Sequence, residues 1–120
     1  MKICLDYVSV SVAGDYYQVM FEEKEEDESD ENFETPYVII QRQFEMPDGG
    51  RIYIETHDEN FAGHFRVTRC VLGPKKLFLQ LQRKNAEHLE VTFTTSKHNY
   101  MELKDALRTM IPSIELLEAS

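Results

Sequence analysis

Long hydrophobic runs are missing from this sequence: apolar stretches do not exceed five residues. That excludes a transmembrane helix, which needs about 20 consecutive apolar positions. The opening MKICLDYVSV carries Asp6 early and alternates in character, which is not the pattern of a signal peptide. Cysteine is scarce. Cys4 and Cys70 are too few for a disulfide scaffold. Both stand among apolar residues, which predicts buried free thiols in a reducing, cytoplasmic setting, although the pair leaves one bridge open. Basic residues are also short: 13 Lys and Arg face 22 Asp and Glu, for a net charge of −9. A chain of that sign is poorly suited to hold nucleic acid by its phosphates or to lie on an anionic membrane.

Catalytic signatures are lacking as well. The sequence has no GxSxG, no P-loop, no CxxC and no HExxH. Neither cysteine has the local acid–base arrangement of an activated thiolate. The reading is therefore of a non-enzyme with no cofactor.

What remains is a chain of ordinary composition, 42% hydrophobic and 29% charged over 120 residues. A 14.1 kDa chain is one domain, able to bury roughly two-thirds of its unfolded surface. Its charge is unevenly placed. Residues 22–34, EEKEEDESDENFE, hold nine carboxylates and one lysine, while residues 35–120 carry eleven acids and eleven bases. The neutral part is the folded body. The run Glu22, Glu23, Glu25, Glu26, Asp27, Glu28, Asp30, Glu31 and Glu34 has too little apolar surface to order its own backbone. It reads either as a solvated loop or as an acidic arm that steers a basic partner.

The body alternates with period two in many places. Residues 3–12 and 16–21, around Gly14 and Asp15, predict a hairpin. Strands are expected over 37–44 and from Arg51 to Thr56, with a turn at Pro47–Gly50 between them. Another is expected over 65–72, with a β-bulge near Arg69 because the apolar parity slips there. Leu77, Leu79 and Leu81 give a further strand, and Leu89, Val91 and Phe93 give the seventh. The period then lengthens: Tyr100, Leu103, Leu107, Met110 and Ile111 form one helical stripe. Ser96 or Asn99 caps its start, Glu102 completes a capping box with Asn99, and Pro112 ends it. Residues 113–120 are a frayed tail or a short extra contact. The expected fold is α+β, a mostly antiparallel sheet of about seven strands covered by one C-terminal helix.

The richest polar cluster follows the fourth strand: His57, Asp58, Glu59, Asn60 and His64, with Phe61 inside it and Glu55 just before it. Three readings compete there. Two imidazoles and two carboxylates suit zinc or manganese, and hence a small metal-dependent enzyme. A turn is the plainer reading, with Gly63 supplying the unusual φ. The third is a partner-binding loop, with Phe61 as an aromatic anchor in a charged rim. Packing beneath the turn is the equal alternative for Phe61, and Phe65 is expected in the core.

RIYIETHDENFAGHF, the Cys70-Val71-Leu72 stretch, the leucine-rich strand at 77–81, LEVTF and YMELKDALRTMI together resemble the immunity protein 10 family of bacterial toxin–immunity systems. The likeness spans about residues 50–111. Asp58, Asn60, Gly63, Phe65, Cys70 and Leu72 stand at corresponding places, while Glu59 and Ala62 depart from the pattern. The resemblance implies an immunity protein that neutralises a cognate toxin domain, such as a basic nuclease, by stoichiometric binding. A self-associating or regulatory interaction domain is the alternative that needs no toxin.

Overall fold

The computed structural model describes residues 1–23, 36–44, 51–58, 61–82 and 87–117. Among them the elements are β1 (Lys2–Cys4), β2 (Tyr7–Ala13), β3 (Tyr16–Glu22), β4 (Tyr37–Gln43), β5 (Arg51–Thr56), β6 (Ala62–Leu72), β7 (Lys76–Leu81), β8 (His88–Thr92), α1 (Lys97–Met110) and β9 (Glu115–Leu116). The fold is α+β, a mostly antiparallel sheet covered by one C-terminal helix, as expected.

Sheet order is β1-β8-β7-β6-β5-β4-β3-β2. β1 and β2 therefore lie at opposite ends of the path, yet Leu5 and Asp6 alone separate them in sequence. From Cys4 to Tyr7 the backbone reaches at most roughly 11 Å, whereas eight flat strands would span about 34 Å. The sheet must curl until its two ends approach. This also explains why residues 3–12 are not one strand. Leu5 is fully buried and its N–H donates to the Thr92 carbonyl at 2.8 Å, which ends β1 beside β8. β1 pairs β8 in parallel, with Ile3 opposite Val91.

β6, the longest strand, joins the two halves of the sheet. Its first half pairs β5, with Ile52 opposite Phe65, and its second half pairs β7, with Cys70 opposite Leu79. The register shifts between Val67 and Arg69, at the bulge foreseen from the parity slip. The extra residue returns Cys70 and Leu72 to the core side, where Phe65 already lies. Residues 115–116 make the short extra contact, as a parallel strand beside Val71 and Leu72.

Inside the curl, Val19, Phe21, Val38, Ile40, Ile54, Leu77, Leu79, Leu89 and Val91 are fully buried. Helix α1 packs over β2 and β3 with Leu103, Ala106, Leu107 and Met110. Ser96 is its N-cap: the hydroxyl accepts the Asn99 N–H at 3.1 Å. Asn99 is thus already within the helix, and Glu102 does not close a box with it; its carboxylate meets His98 Nε2 at 3.0 Å instead. At the other end, Arg42 Nη1 donates to the Met110 carbonyl at 2.5 Å. A guanidinium there satisfies an orphan carbonyl and complements the negative end of the helix dipole.

The two cysteines differ. Both are free. Cys70 is buried, and desolvation, followed by the Glu115 charge, pushes its thiol up to about 12. It stays protonated and packs as a small hydrophobe. Cys4 is exposed, against expectation, because on β1 the alternation turns Lys2 and Cys4 outward and Ile3 inward.

Candidate binding face on the outer sheet

The buried residues of β3, β4 and β5 define the opposite, outward positions. Val19 and Phe21, Val38 and Ile40, and Ile52 and Ile54 point inward. Period-two alternation then presents Gln18 and Met20, Tyr37, Ile39 and Gln41, and Tyr53 and Glu55 on the outer face. Register sorts them into rows across the strands. Gln18, Gln41, Tyr53 and His64 form one row, and Met20, Ile39 and Glu55 form the next.

Hydrogen bonds join side chains within and between rows. Gln18 Oε1 accepts from Gln41 Nε2 at 2.8 Å and from the Tyr16 hydroxyl at 2.9 Å. Glu55 is held from two sides: the Tyr53 hydroxyl donates to Oε1 at 2.6 Å, and the Tyr37 hydroxyl donates to Oε2 at 2.8 Å. Tyr53 stands two residues before Glu55 on the same face, while Tyr37 reaches it diagonally from β4.

These bonds set the protonation states. The Tyr53 bond first, and the Tyr37 bond second, hold the Glu55 carboxyl below its ordinary value against the opposing pull of burial. Burial, then the bond to Glu55, pushes Tyr37 up to about 12. Tyr53 is also raised, chiefly by its bond to Glu55. At neutral pH the cluster is therefore an ionised carboxylate between two protonated phenols. The tyrosines act as donors rather than bases. Charge-assisted bonds of this kind are short and fix the carboxylate in place.

Two imidazoles border the cluster. The His64 ring lies 5.2 Å from that of Tyr53, and the His57 ring 6.5 Å from that of Tyr37. His57 Nδ1 is buried and has no hydrogen-bond partner among the described residues. The turn beyond β5 is built around Thr56, the buried polar residue of this region. Its hydroxyl lies 3.0 Å from the Phe61 carbonyl and accepts the Asp58 N–H at 3.1 Å. The Phe61 N–H donates to the Asp58 carbonyl at 2.8 Å, which closes the turn. Gly63 follows with φ 144°, a conformation that side chains resist.

The loop residues expected at a site part company here. Glu55 lies on the outer face, with His57 and Asp58 half-buried at its rim. Phe61 is not an exposed anchor. It is buried against Phe65, ring centroids 5.8 Å apart, because the Thr56 bonds draw the turn inward over the core. Glu59 and Asn60 lie outside the described residues, as do Glu25, Glu26, Asp27, Glu28, Asp30 and Glu31. Glu22 ends β3, and Glu23 is exposed just beyond it. Among the described residues no group of three or more His, Cys, Asp or Glu side chains is placed to hold a metal ion.

Sequence reasoning missed Tyr37, Tyr53, Gln18 and Gln41. Their signal was present as period two: in YVIIQ and RIYIE, alternate positions carry the tyrosines, Gln41 and Glu55. What was not apparent is that three strands would set these positions side by side.

The face belongs to an α+β protein whose outer sheet surface is aromatic, polar and anionic at its centre. No protein-family model matches the chain, no curated protein matches it, and no solved structure matches it.

Proposed function

We propose that this chain is an immunity protein that binds and neutralises a cognate bacterial toxin domain in the cytoplasm, one to one. In this reading the outer face of β3, β4 and β5 is the contact surface, and its partner is cationic, as a basic nuclease would be. The observation that carries the proposal is the Glu55 carboxylate, kept ionised between Tyr37 and Tyr53 on an outward face. A lysine or arginine of the partner meets the carboxylate there, with aromatic rings on either side. Tyrosines favour such a role because they offer a large contact area and a polar tip at little entropic cost. The resemblance over residues 50–111 and the overall charge of −9 support the same reading.

The test is titration calorimetry against the toxin domain encoded beside this gene. A 1:1 complex is expected, weakened about tenfold or more by Glu55→Gln, the range of a contact worth roughly 1.4 kcal/mol. Absence of any complex with that domain would overturn the proposal.

A further inference from the structure

β2 is a sheet edge with the wrong chemistry for solvent. It ends the strand order, and among the described residues its one strand neighbour is β3. Solvent-facing edges are normally blunted by charge, proline or a bulge, because their free N–H and C=O groups invite another strand. β2 has none of these. Tyr7–Ala13 reads YVSVSVA, uncharged throughout, and its ladder with β3 runs unbroken from Tyr7↔Glu22 to Ala13↔Tyr16. In a chain of net charge −9, that is a conspicuous gap in the polar surface. Tyr7 and Val12 are also left 47% and 53% exposed, among the most exposed large apolar side chains described.

The strand is palindromic as well. Val8-Ser9-Val10-Ser11-Val12 reads the same in both directions about Val10. An antiparallel pair of identical strands related by a two-fold axis brings each residue opposite its mirror position in sequence. With the axis at Val10, Val10 faces itself, Val8 faces Val12, Ser9 faces Ser11, and Tyr7 lies over the small Ala13. Each valine then stays on the helix-covered side of the joint sheet and each serine on the outer side. A one-residue slip would set valine opposite serine and send the valines of the two copies to opposite faces. A two-residue displacement toward either end would bring Asp6 opposite Val12, or Asp15 opposite Tyr7. The Val10-centred register leaves both aspartates beyond the seam.

We infer that β2 pairs antiparallel with β2 of a second copy of this chain, centred on Val10, and joins the two sheets into one. The pairing satisfies the free backbone edge and covers the exposed Val12 of each copy with Val8 of the other. It is independent of toxin binding, since the outer face of β3, β4 and β5 is not used.

Light scattering on the full chain, across a concentration series and without any partner, tests the inference. The expected mass is twice the 14.1 kDa of the chain, falling toward 14.1 kDa on dilution. Two double substitutions at exposed positions read the register. Ser9→Lys with Ser11→Lys sets like charges opposite each other across the seam, and a tenfold or greater weakening of the dimer is expected. Ser9→Lys with Ser11→Glu sets opposite charges there, and dimerisation is expected to return. A wild-type chain that stays at 14.1 kDa to millimolar concentration overturns the inference and leaves the edge to a foreign strand. Equal weakening by both double variants, with circular dichroism unchanged, overturns the Val10-centred register.

Discussion

Arg42 and Met110 tie the sheet to the helix: the guanidinium of the one donates to the main-chain carbonyl of the other at 2.5 Å, across 68 residues of sequence. The same guanidinium stands 4.7 Å over the Phe44 ring, which itself meets Tyr17 edge-on at 5.7 Å. One side chain thus serves the helix terminus and the aromatic end of β4 together.

Arg42→Ala is expected to destabilise the fold by about 2 kcal/mol, the scale of a hydrogen bond to a charged group with a cation–π contact added. Urea denaturation followed by far-ultraviolet circular dichroism measures it. A loss below a few tenths of a kcal/mol would show that the helix end holds without it.

Thr56→Val keeps the side-chain shape and removes the hydroxyl. The Asp58 N–H and the Phe61 carbonyl then lose the hydroxyl they share. A destabilisation of about 1–3 kcal/mol is expected, the cost of leaving buried polar groups unpaired. Faster amide exchange at Asp58 in the variant would place the loss at this turn.

Tyr37 gives the fold a dependence on alkaline pH. Its phenol is raised from 10.0 to about 12 in the folded chain. Because the folded value is the higher one, the stabilisation is complete below pH 10 and is lost as pH climbs from there to about 12. Absorbance at 295 nm should show two of the six tyrosines, Tyr37 and Tyr53, titrating above the ordinary phenol range, with the Tyr37 step at about 12. Glu55→Gln should bring that step down only in part, since burial is the larger cause. Glu55 acts in the opposite sense: its folded value is lowered, so its contribution fades as pH falls through that value.

The acidic run is removable in principle. Glu22 at the end of β3 and Tyr37 at the start of β4 are register partners, so a short turn suffices to join them. Replacing residues 24–34 by such a turn should leave the unfolding midpoint nearly unchanged. If the run steers a basic toxin, the association rate should fall about tenfold and lose most of its salt dependence. An unchanged rate in stopped-flow mixing would reduce the run to a solubility device.

Most of the architecture was legible in the sequence because alternation and helical spacing are local. The bulge in β6 was readable from Phe65, Val67, Cys70 and Leu72, and the helix from Leu103, Leu107 and Met110. The break after Cys4 was not. Nothing near Leu5 signals that its N–H will be taken by Thr92. The outer face was hidden for the same reason. Tyr37 and Glu55 lie 18 residues apart, and strand register alone makes them neighbours. Phe61 was legible only as an aromatic beside a turn, and the Thr56 bonds decided which way it faces.

The nearness of β1 to β2 has a kinetic side. β2 and β3 form a hairpin from adjacent residues and can pair at once, whereas β1 has to wait for β8. The Met1 amine reaches the His88 carbonyl across 87 residues, and the Leu5 N–H reaches Thr92. Loop closure over such a separation is entropically expensive until the intervening strands are assembled. During synthesis the hairpin leaves the ribosome with its apolar side uncovered, well before the helix that covers it. The fold is thus completed by its most distant sequence partners, and the β1–β8 seam is where reopening should begin.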